Sequence, residues 1–225
     1  MLKLSDNNNN IEDEIKQGQF GLSMSDHILH LPAFIDKNEC ISVMNSLDNL
    51  ERDDSAPYTD GLLNDDADTY FDPDIKYIDN VRDRIFIDGL KEYASKVRSF
   101  NWSYYDTKSF HCSEMIIRRY NEGSEFKYHH DDIIGEIFPH WFLRRQNILT
   151  CNFYFSDAKN YDGGDLVFTC GKTFQPSMGD IIIFPSNWMF YHEVQKITKG
   201  KRYSGTVWLY YGSSKRMPNA KSKDW

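Results

Sequence analysis

Long apolar runs are missing from this chain. No stretch approaches the roughly 18 consecutive apolar residues that a membrane-spanning helix requires. The opening "MLKLSDNNNNIEDEIKQGQFG" holds no apolar signal-peptide segment, so the cytoplasm is the expected compartment and a membrane is not an expected partner. Cysteine is sparse and scattered. Cys40, Cys112, Cys151 and Cys170 form no C-x-x-C pair, which argues against a disulfide framework or a cysteine zinc site and for reduced, buried thiols. Positive charge is also short: 26 Lys and Arg against 34 Asp and Glu leave a formal −8, which speaks against nucleic acid as a partner.

What is present suits one large domain. The 225 residues are 40% hydrophobic and 15% aromatic, enough for a sizeable core and short for two domains. Residues 1–24 are polar, carry an Asn run and read as a flexible tail. Residues 25–212 read as the domain, and 213–225, which include "SSKRMPNAKSK", as a basic, solvated C-terminal tail. Within the domain, "HILHL" alternates briefly as a strand. Asp36 and Glu39 then make a capping box before an apolar stripe of Cys40, Val43, Met44 and Leu47. A second helix is expected from Ile78 to Val97, with Phe86, Leu90, Tyr93 and Val97 at helical spacing.

Between these helices lies "DDSAPYTDGLLNDDADTYFDPD", residues 53–74, with eight Asp and no Lys or Arg. The Gly and closing Glu of a calcium-binding EF-hand are missing, so a long acidic loop is expected, either solvated or closing over a site. After Phe100 the texture changes. "SEMIIRRY", "NILTCNFYFS", "GGDLVFTC", "GDIIIFPS" and "RYSGTVWLYY" are short β-branched and aromatic runs between turn residues, the pattern of a sandwich or barrel. Helices first and strands after suggest a mainly β (α+β) fold.

The chemistry-bearing stretch is "EFKYHHDD", residues 125–132. Alternate residues of a strand share a face, so it offers two His-x-Asp pairs, His129 with Asp131 or His130 with Asp132. Two His and one carboxylate with other positions open form the ligand set of non-haem Fe(II) oxygenases. A distant third ligand is available in His192, which follows the apolar run "DIIIFPS". Arg202 and Ser204 then share one face of the next strand, and a guanidinium fork beside a hydroxyl suits a carboxylate. Arg202 taken alone reads better as a surface cation like Lys199 and Lys201; taken with the other pieces it reads as the carboxylate receptor.

The series Tyr120, Gly123, Phe126, His129 and Asp131, followed by "GGDLVF", "GDIIIFPS", "HEV" at His192 and "GKRYSGTVW", resembles the prolyl 4-hydroxylase-like branch of the Fe(II)/2-oxoglutarate dioxygenases. The resemblance covers residues 28–212, with its specific part at 113–212. It implies a double-stranded β-helix (jelly roll) with N-terminal helices packed outside the major sheet. It selects His129 and Asp131 over His130 and Asp132 as the metal pair and makes His192 the third ligand. Arg202 matches the basic residue for the distal carboxylate of 2-oxoglutarate, with Ser204 beside it and Lys201 the rival. Tyr120 matches a tyrosine reaching the same carboxylate, Tyr154 is a further contact, and Trp208 matches an aromatic at the rear of the pocket. The implied cofactors are Fe(II), 2-oxoglutarate and O₂, with ascorbate as a reductant. The implied reaction hydroxylates an unactivated C–H bond, of a prolyl residue in a peptide or protein, with release of succinate and CO₂. The alternatives are a free amino acid or other small molecule as substrate, a non-catalytic jelly-roll binding module, or a cupin-like zinc or manganese enzyme. The segment "IIGEIFPHWFLRRQN" is longer than the motif requires and is expected to shape the substrate mouth.

Overall fold

A computed structural model describes residues 23–50, 67–71, 73–100, 110–113, 115–132 and 145–212. The expected tails, residues 53–66 of the acidic stretch and residues 133–144 of the long insertion lie wholly or almost wholly outside them. The described strands are β1 (Leu29–Leu31), β2 (Ala67–Phe71), β3 (Phe110–Cys112), β4 (Ile116–Tyr120), β5 (Phe126–His129) and β6 (Arg145–Tyr154). There follow β7 (Tyr161–Gly163), β8 (Leu166–Phe168), β9 (Thr173–Phe174), β10 (Ile181–Pro185), β11 (His192–Val194), β12 (Ile197–Gly200) and β13 (Arg202–Gly212). Every described pairing is antiparallel. The major sheet has seven strands in the order β1-β10-β6-β13-β4-β2, with β3 also on β13; the minor sheet is β5-β11-β8-β9, and β12 pairs with β7.

The period-two pleat sorts the major sheet into two cores. Odd-numbered Ile117, Cys151, Phe153, Ile181, Ile183, Val207 and Leu209 point to one side, where they join residues of the helices. Even-numbered Tyr120, Tyr154, Ile182 and Phe184 point to the other and meet Leu166, Phe168 and Val194 of the minor sheet. Because β10 is buried on both faces, it reads as an unbroken apolar run. The two-sheet architecture is the expected jelly roll.

Helix α1 (Lys37–Leu47) begins at the expected box: Asp36 accepts from the Asn38 amide at 2.8 Å, and the Asp36 amide donates to Glu39 at 3.3 Å. Cys40, Val43 and Leu47 are buried, with Met44 packed beside them. The second helix differs from expectation. It runs as α2 (Ile78–Arg84), a π-helical turn (Ile85–Gly89) and α3 (Leu90–Lys96). Its buried stripe is Ile78, Val81, Ile85, Leu90 and Tyr93, with Val97 just beyond. The step of five from Ile85 to Leu90 does not fit a regular α-helix; the wider turn absorbs it and leaves Phe86 only partly buried. At Gly89 an added Cβ would lie 3.4 Å from Ile183 and 3.5 Å from Ile181, so the helix lies directly against the sheet.

Two further expectations are corrected. The acidic stretch is not loop throughout, because Ala67–Phe71 forms an edge strand on β4, where Asp68 faces Arg119 and ion-pairs with it at 2.8 Å. All four cysteines are free thiols, but only Cys40 and Cys151 are buried.

Candidate metal and cosubstrate site

The two sheets bring the two histidines together. His192 of β11 is the Cα partner of His129 of β5, and the rings lie 4.3 Å apart. Asp131 follows two residues after His129. His129 Nε2 is 3.6 Å from Asp131 Oδ1, and His192 Nε2 is 3.7 Å from Oδ2. One ligand atom from each of the three residues falls within 4.8 Å of the others. His130, between the ligands in sequence, turns away to contact the Tyr191 ring at 5.0 Å.

Each ligand is held from behind. His129 Nδ1 donates to the Lys127 carbonyl at 2.7 Å, and His192 Nδ1 donates to the Phe190 carbonyl at 3.0 Å. A carbonyl only accepts, so both Nδ1 atoms carry the proton and both Nε2 lone pairs are left for a metal. Asp131 Oδ2 accepts from Thr150 Oγ1 at 2.7 Å, and Thr150 Oγ1 lies 2.9 Å from Ser186 Oγ. The Asp131 amide donates to the Ser186 carbonyl at 3.1 Å, and Asn147 Nδ2 donates to the Asp131 carbonyl at 3.0 Å. Two nitrogen donors and a carboxylate, each anchored and with no fourth protein ligand among the described residues, fit a divalent iron with open positions.

Electrostatics fits the same use. Burial, then the nearby His192, pushes the His129 pKa down to about 4, so the imidazole is neutral near pH 7. Burial alone would raise the Asp131 pKa. His192, His129 and the Thr150 hydroxyl outweigh it, and the carboxyl stays below its ordinary range.

The residues expected at the cosubstrate lie on the inner row of the major sheet. Arg202 is 1% exposed, stacked 4.4 Å from the Tyr120 ring centroid and 5.6 Å from that of Tyr154. Its Nη1 donates to the Gly164 carbonyl, while its Nε has no partner among the described residues. Gly164 has a φ of +70°, and a Cβ there would lie 2.3 Å from Ile197 Cδ1, so glycine is required where the chain meets the arginine. Ser204 follows on the same row, buried, with Tyr154 as its Cα partner. Lys201, the rival cation, is exposed. Trp208 closes the row, with its Nε1 buried and without a partner among the described residues. Burial pushes the Tyr154 pKa up, so its hydroxyl remains a donor.

Sequence reasoning missed Thr150, Ser186, Asn147 and the Gly164 carbonyl. The signal for Thr150 was its parity: it lies four residues before Tyr154 and so on the same face of β6. A surface cleft of about 430 Å³ beside Glu125, Phe126 and Glu193 contains none of the three candidate ligands.

The 2OG-Fe(II) oxygenase superfamily pattern matches residues 115–210, from the start of β4 to the end of the inner row. The matched residues include His129, Asp131, His192 and Arg202 and make up less than half of the chain. A PKHD-type hydroxylase of Acinetobacter baylyi is 31% identical over 102 residues. That match covers 44% of this chain and 44% of the relative, so the chain matches less than half of the relative's length. The fold is shared with a viral collagen prolyl hydroxylase from Paramecium bursaria Chlorella virus-1, at a TM-score of 0.61 and 16% identity, over 86% of this chain and 100% of that one. It is shared too with a Trichoplax adhaerens prolyl hydroxylase solved in complex with a hypoxia-inducible-factor peptide fragment, at 0.57 and 13%, over 91% and 88%. The architecture is therefore a double-stranded β-helix. Superfamily members use Fe(II), 2-oxoglutarate and O₂. No helix among the described residues is long and apolar enough to cross a membrane.

Proposed function

We propose that the chain is an Fe(II)- and 2-oxoglutarate-dependent dioxygenase that hydroxylates a prolyl residue of a peptide or protein. One oxygen atom of O₂ enters the C–H bond; the other enters succinate as 2-oxoglutarate loses CO₂. The observation that carries this reading is the convergence of His129, Asp131 and His192 within 4.8 Å, each held from behind.

In this reading His129 Nε2, His192 Nε2 and the Asp131 carboxylate hold the iron. Bound iron supplies the O₂ activation and the oxidising power that no side chain has. The residues of the chain do the positioning. Arg202 pairs its fork with the distal carboxylate of 2-oxoglutarate, and Tyr120 and Tyr154 fix the plane of that fork by stacking. Ser204 and the protonated Tyr154 hydroxyl add donors. Phe168 and Phe184, with rings 5.5 and 4.8 Å from His192, make the wall beside it apolar and keep water away from the reacting centre. The choice of a prolyl residue is supported by the PKHD-type hydroxylase relatives and by the prolyl hydroxylases that share the fold.

The test is succinate release from anaerobically purified, iron-loaded protein given a proline-containing peptide library, with mass spectrometry for a gain of one oxygen. A peptide that gains oxygen with one succinate formed per product supports the full reading. Oxygen gain on a free amino acid alone would discard the peptide substrate. Absence of any 2-oxoglutarate turnover, with iron bound, would discard the dioxygenase.

A further inference from the structure

Arg118 is the middle residue of β4 and belongs to its inner row, between Ile116 and Tyr120. Its Cα partners are Ser204 on β13 and Thr69 on β2. It is 8% exposed, with the guanidinium 5.0 Å from the centroid of the Phe126 ring. That ring in turn lies 4.0 Å from the ring of His129. The positive charge acts on both His129 and Asp131. The cation therefore sits beside two of the three candidate ligands, His129 and Asp131.

Among the described residues Arg118 makes no hydrogen bond or ion pair, and its Nε is sealed from water without a partner. Other arginines in this fold are given carboxylates. Arg119 pairs with Asp68 at 2.8 Å, and Arg84 forks onto Glu39 at 2.8 Å. A buried guanidinium without an acceptor destabilises a fold, and an apolar side chain would serve the packing better. A donor fork held at that penalty beside a metal-ligand set fits an acceptor brought in from outside. The cosubstrate's distal carboxylate already has Arg202, which stands across from Tyr120. Arg118 is one inner-row step further along β4 and reaches toward β5.

We propose that Arg118 determines specificity by receiving a carboxylate of the substrate beside the carbon to be oxidised. This rests on the reading of the site as a 2-oxoglutarate-dependent hydroxylase. Two sources supply that chemistry: an acidic side chain next to a proline in a peptide, or the α-carboxylate of a free amino acid.

Matched probes separate them. Protein loaded with Mn(II) and 2-oxoglutarate is titrated calorimetrically with N-acetyl-Pro-Asp amide against N-acetyl-Pro-Asn amide, and with L-proline against L-prolinamide. In at least one pair the carboxylate member binds roughly 30-fold more tightly than its amide, as expected for a desolvated charge pair. Arg118→Gln lowers that ratio below about threefold, and Arg118→Lys retains part of it. The pair that discriminates identifies the source. A ratio near one in both pairs for the unaltered protein overturns the proposal, as does a ratio that survives in Arg118→Gln. A large loss of 2-oxoglutarate affinity in Arg118→Gln with the ratio kept would make the arginine a second cosubstrate anchor and also overturn it. Arg118→Met should melt at a higher temperature than the unaltered protein, and a lower one would mark a merely structural residue. Because these readouts are binding and stability, failure of turnover would sink the hydroxylase reading separately.

Discussion

Replacing Thr150 with Val removes one hydroxyl from behind the candidate metal site and changes little else in shape. The carboxylate of Asp131 can only accept, so the Thr150 proton is committed to it over 2.7 Å. The 2.9 Å contact with Ser186 must then have Ser186 as donor. Ser186 therefore feeds Thr150, and Thr150 feeds Asp131. In the variant Oδ2 loses its anchor and Ser186 loses its acceptor. A hydrogen bond to a charged group contributes about 1.5–3 kcal/mol. Loss of an outer-shell partner typically lowers metal affinity by about 10- to 100-fold, or ~1.4–2.7 kcal/mol, and the two ranges agree.

Iron affinity, measured anaerobically by competition with a chromophoric chelator, should fall by that factor in Thr150→Val. Ser186→Ala, which leaves the direct bond intact, should cost only a few-fold. The pH dependence adds an independent check. Thr150 is one of the groups holding the Asp131 pKa below its ordinary value, so its removal lets that pKa rise. Metal binding should then be lost at a higher pH on acidification than in the unaltered protein. Iron affinity within twofold of the unaltered protein, with an unmoved pH profile, would refute the anchoring role.

Asp131→Ala should abolish iron binding while Asp132→Ala leaves most of it, as measured by metal analysis; equal loss would reverse the register. Arg202→Ala should raise the KM for 2-oxoglutarate by roughly 30-fold or more, from the ~2–5 kcal/mol lost with a buried charge pair, while iron content changes little. Gly205→Ala places a Cβ 2.1 Å from Phe153 Cζ and should destabilise by about 1–3 kcal/mol in denaturant unfolding, with part recovered by adding Phe153→Leu. Asp180 accepts from His30, Ala33 and Ser177 at 2.9–3.0 Å, so Asp180→Asn should cost about 1.5–3 kcal/mol at neutral pH. Burial raises the Asp180 pKa, but these bonds outweigh it and leave the pKa below the ordinary value, so the contribution is full above pH ~4 and lost as pH falls through the folded pKa. The gap between the two unfolding curves should therefore close in acid.

Much of this architecture is legible in the sequence because alternation survives where one face of a strand is buried. β4, β8 and β10 fall inside runs that β-branched and aromatic residues mark out, and β6 and β13 overrun theirs by one or two residues. Asp36 and Glu39 announce α1 by capping chemistry alone. What escapes is decided by partners distant in sequence. The strand Ala67–Phe71 is hidden because the aspartates that flank it dominate the local composition, and Arg119 across the sheet gives Asp68 a reason to be there. The π turn is invisible to a regular helical period, since the sheet surface at Ile181 and Ile183 sets which residues must face it. In the site, the residue types and spacings that touch a metal are recognisable. Thr150, in the middle of β6, and Ser186, just past β10, act by position alone, and nothing in their identity distinguishes them from other hydroxyl residues of the sheet.

The two faces of β13 show where stability is exchanged for chemistry. Its odd row, Tyr203, Gly205, Val207 and Leu209, obeys the rules of a packed core, down to a glycine that makes room for Phe153. Its even row, Arg202, Ser204, Thr206 and Trp208, breaks them. There a guanidinium is 1% exposed, its Nε lacks a partner among the described residues, and an indole N–H is buried in the same condition. The neighbouring row on β4 adds Arg118. Buried polar atoms are normally satisfied, so unsatisfied ones gathered on one face are not random losses of packing. They lie on the face that turns toward the minor sheet, where His129 and His192 meet. Ligands with carboxylates would complete both arginines. The same strand that anchors the core with one row thus leaves donors open with the other.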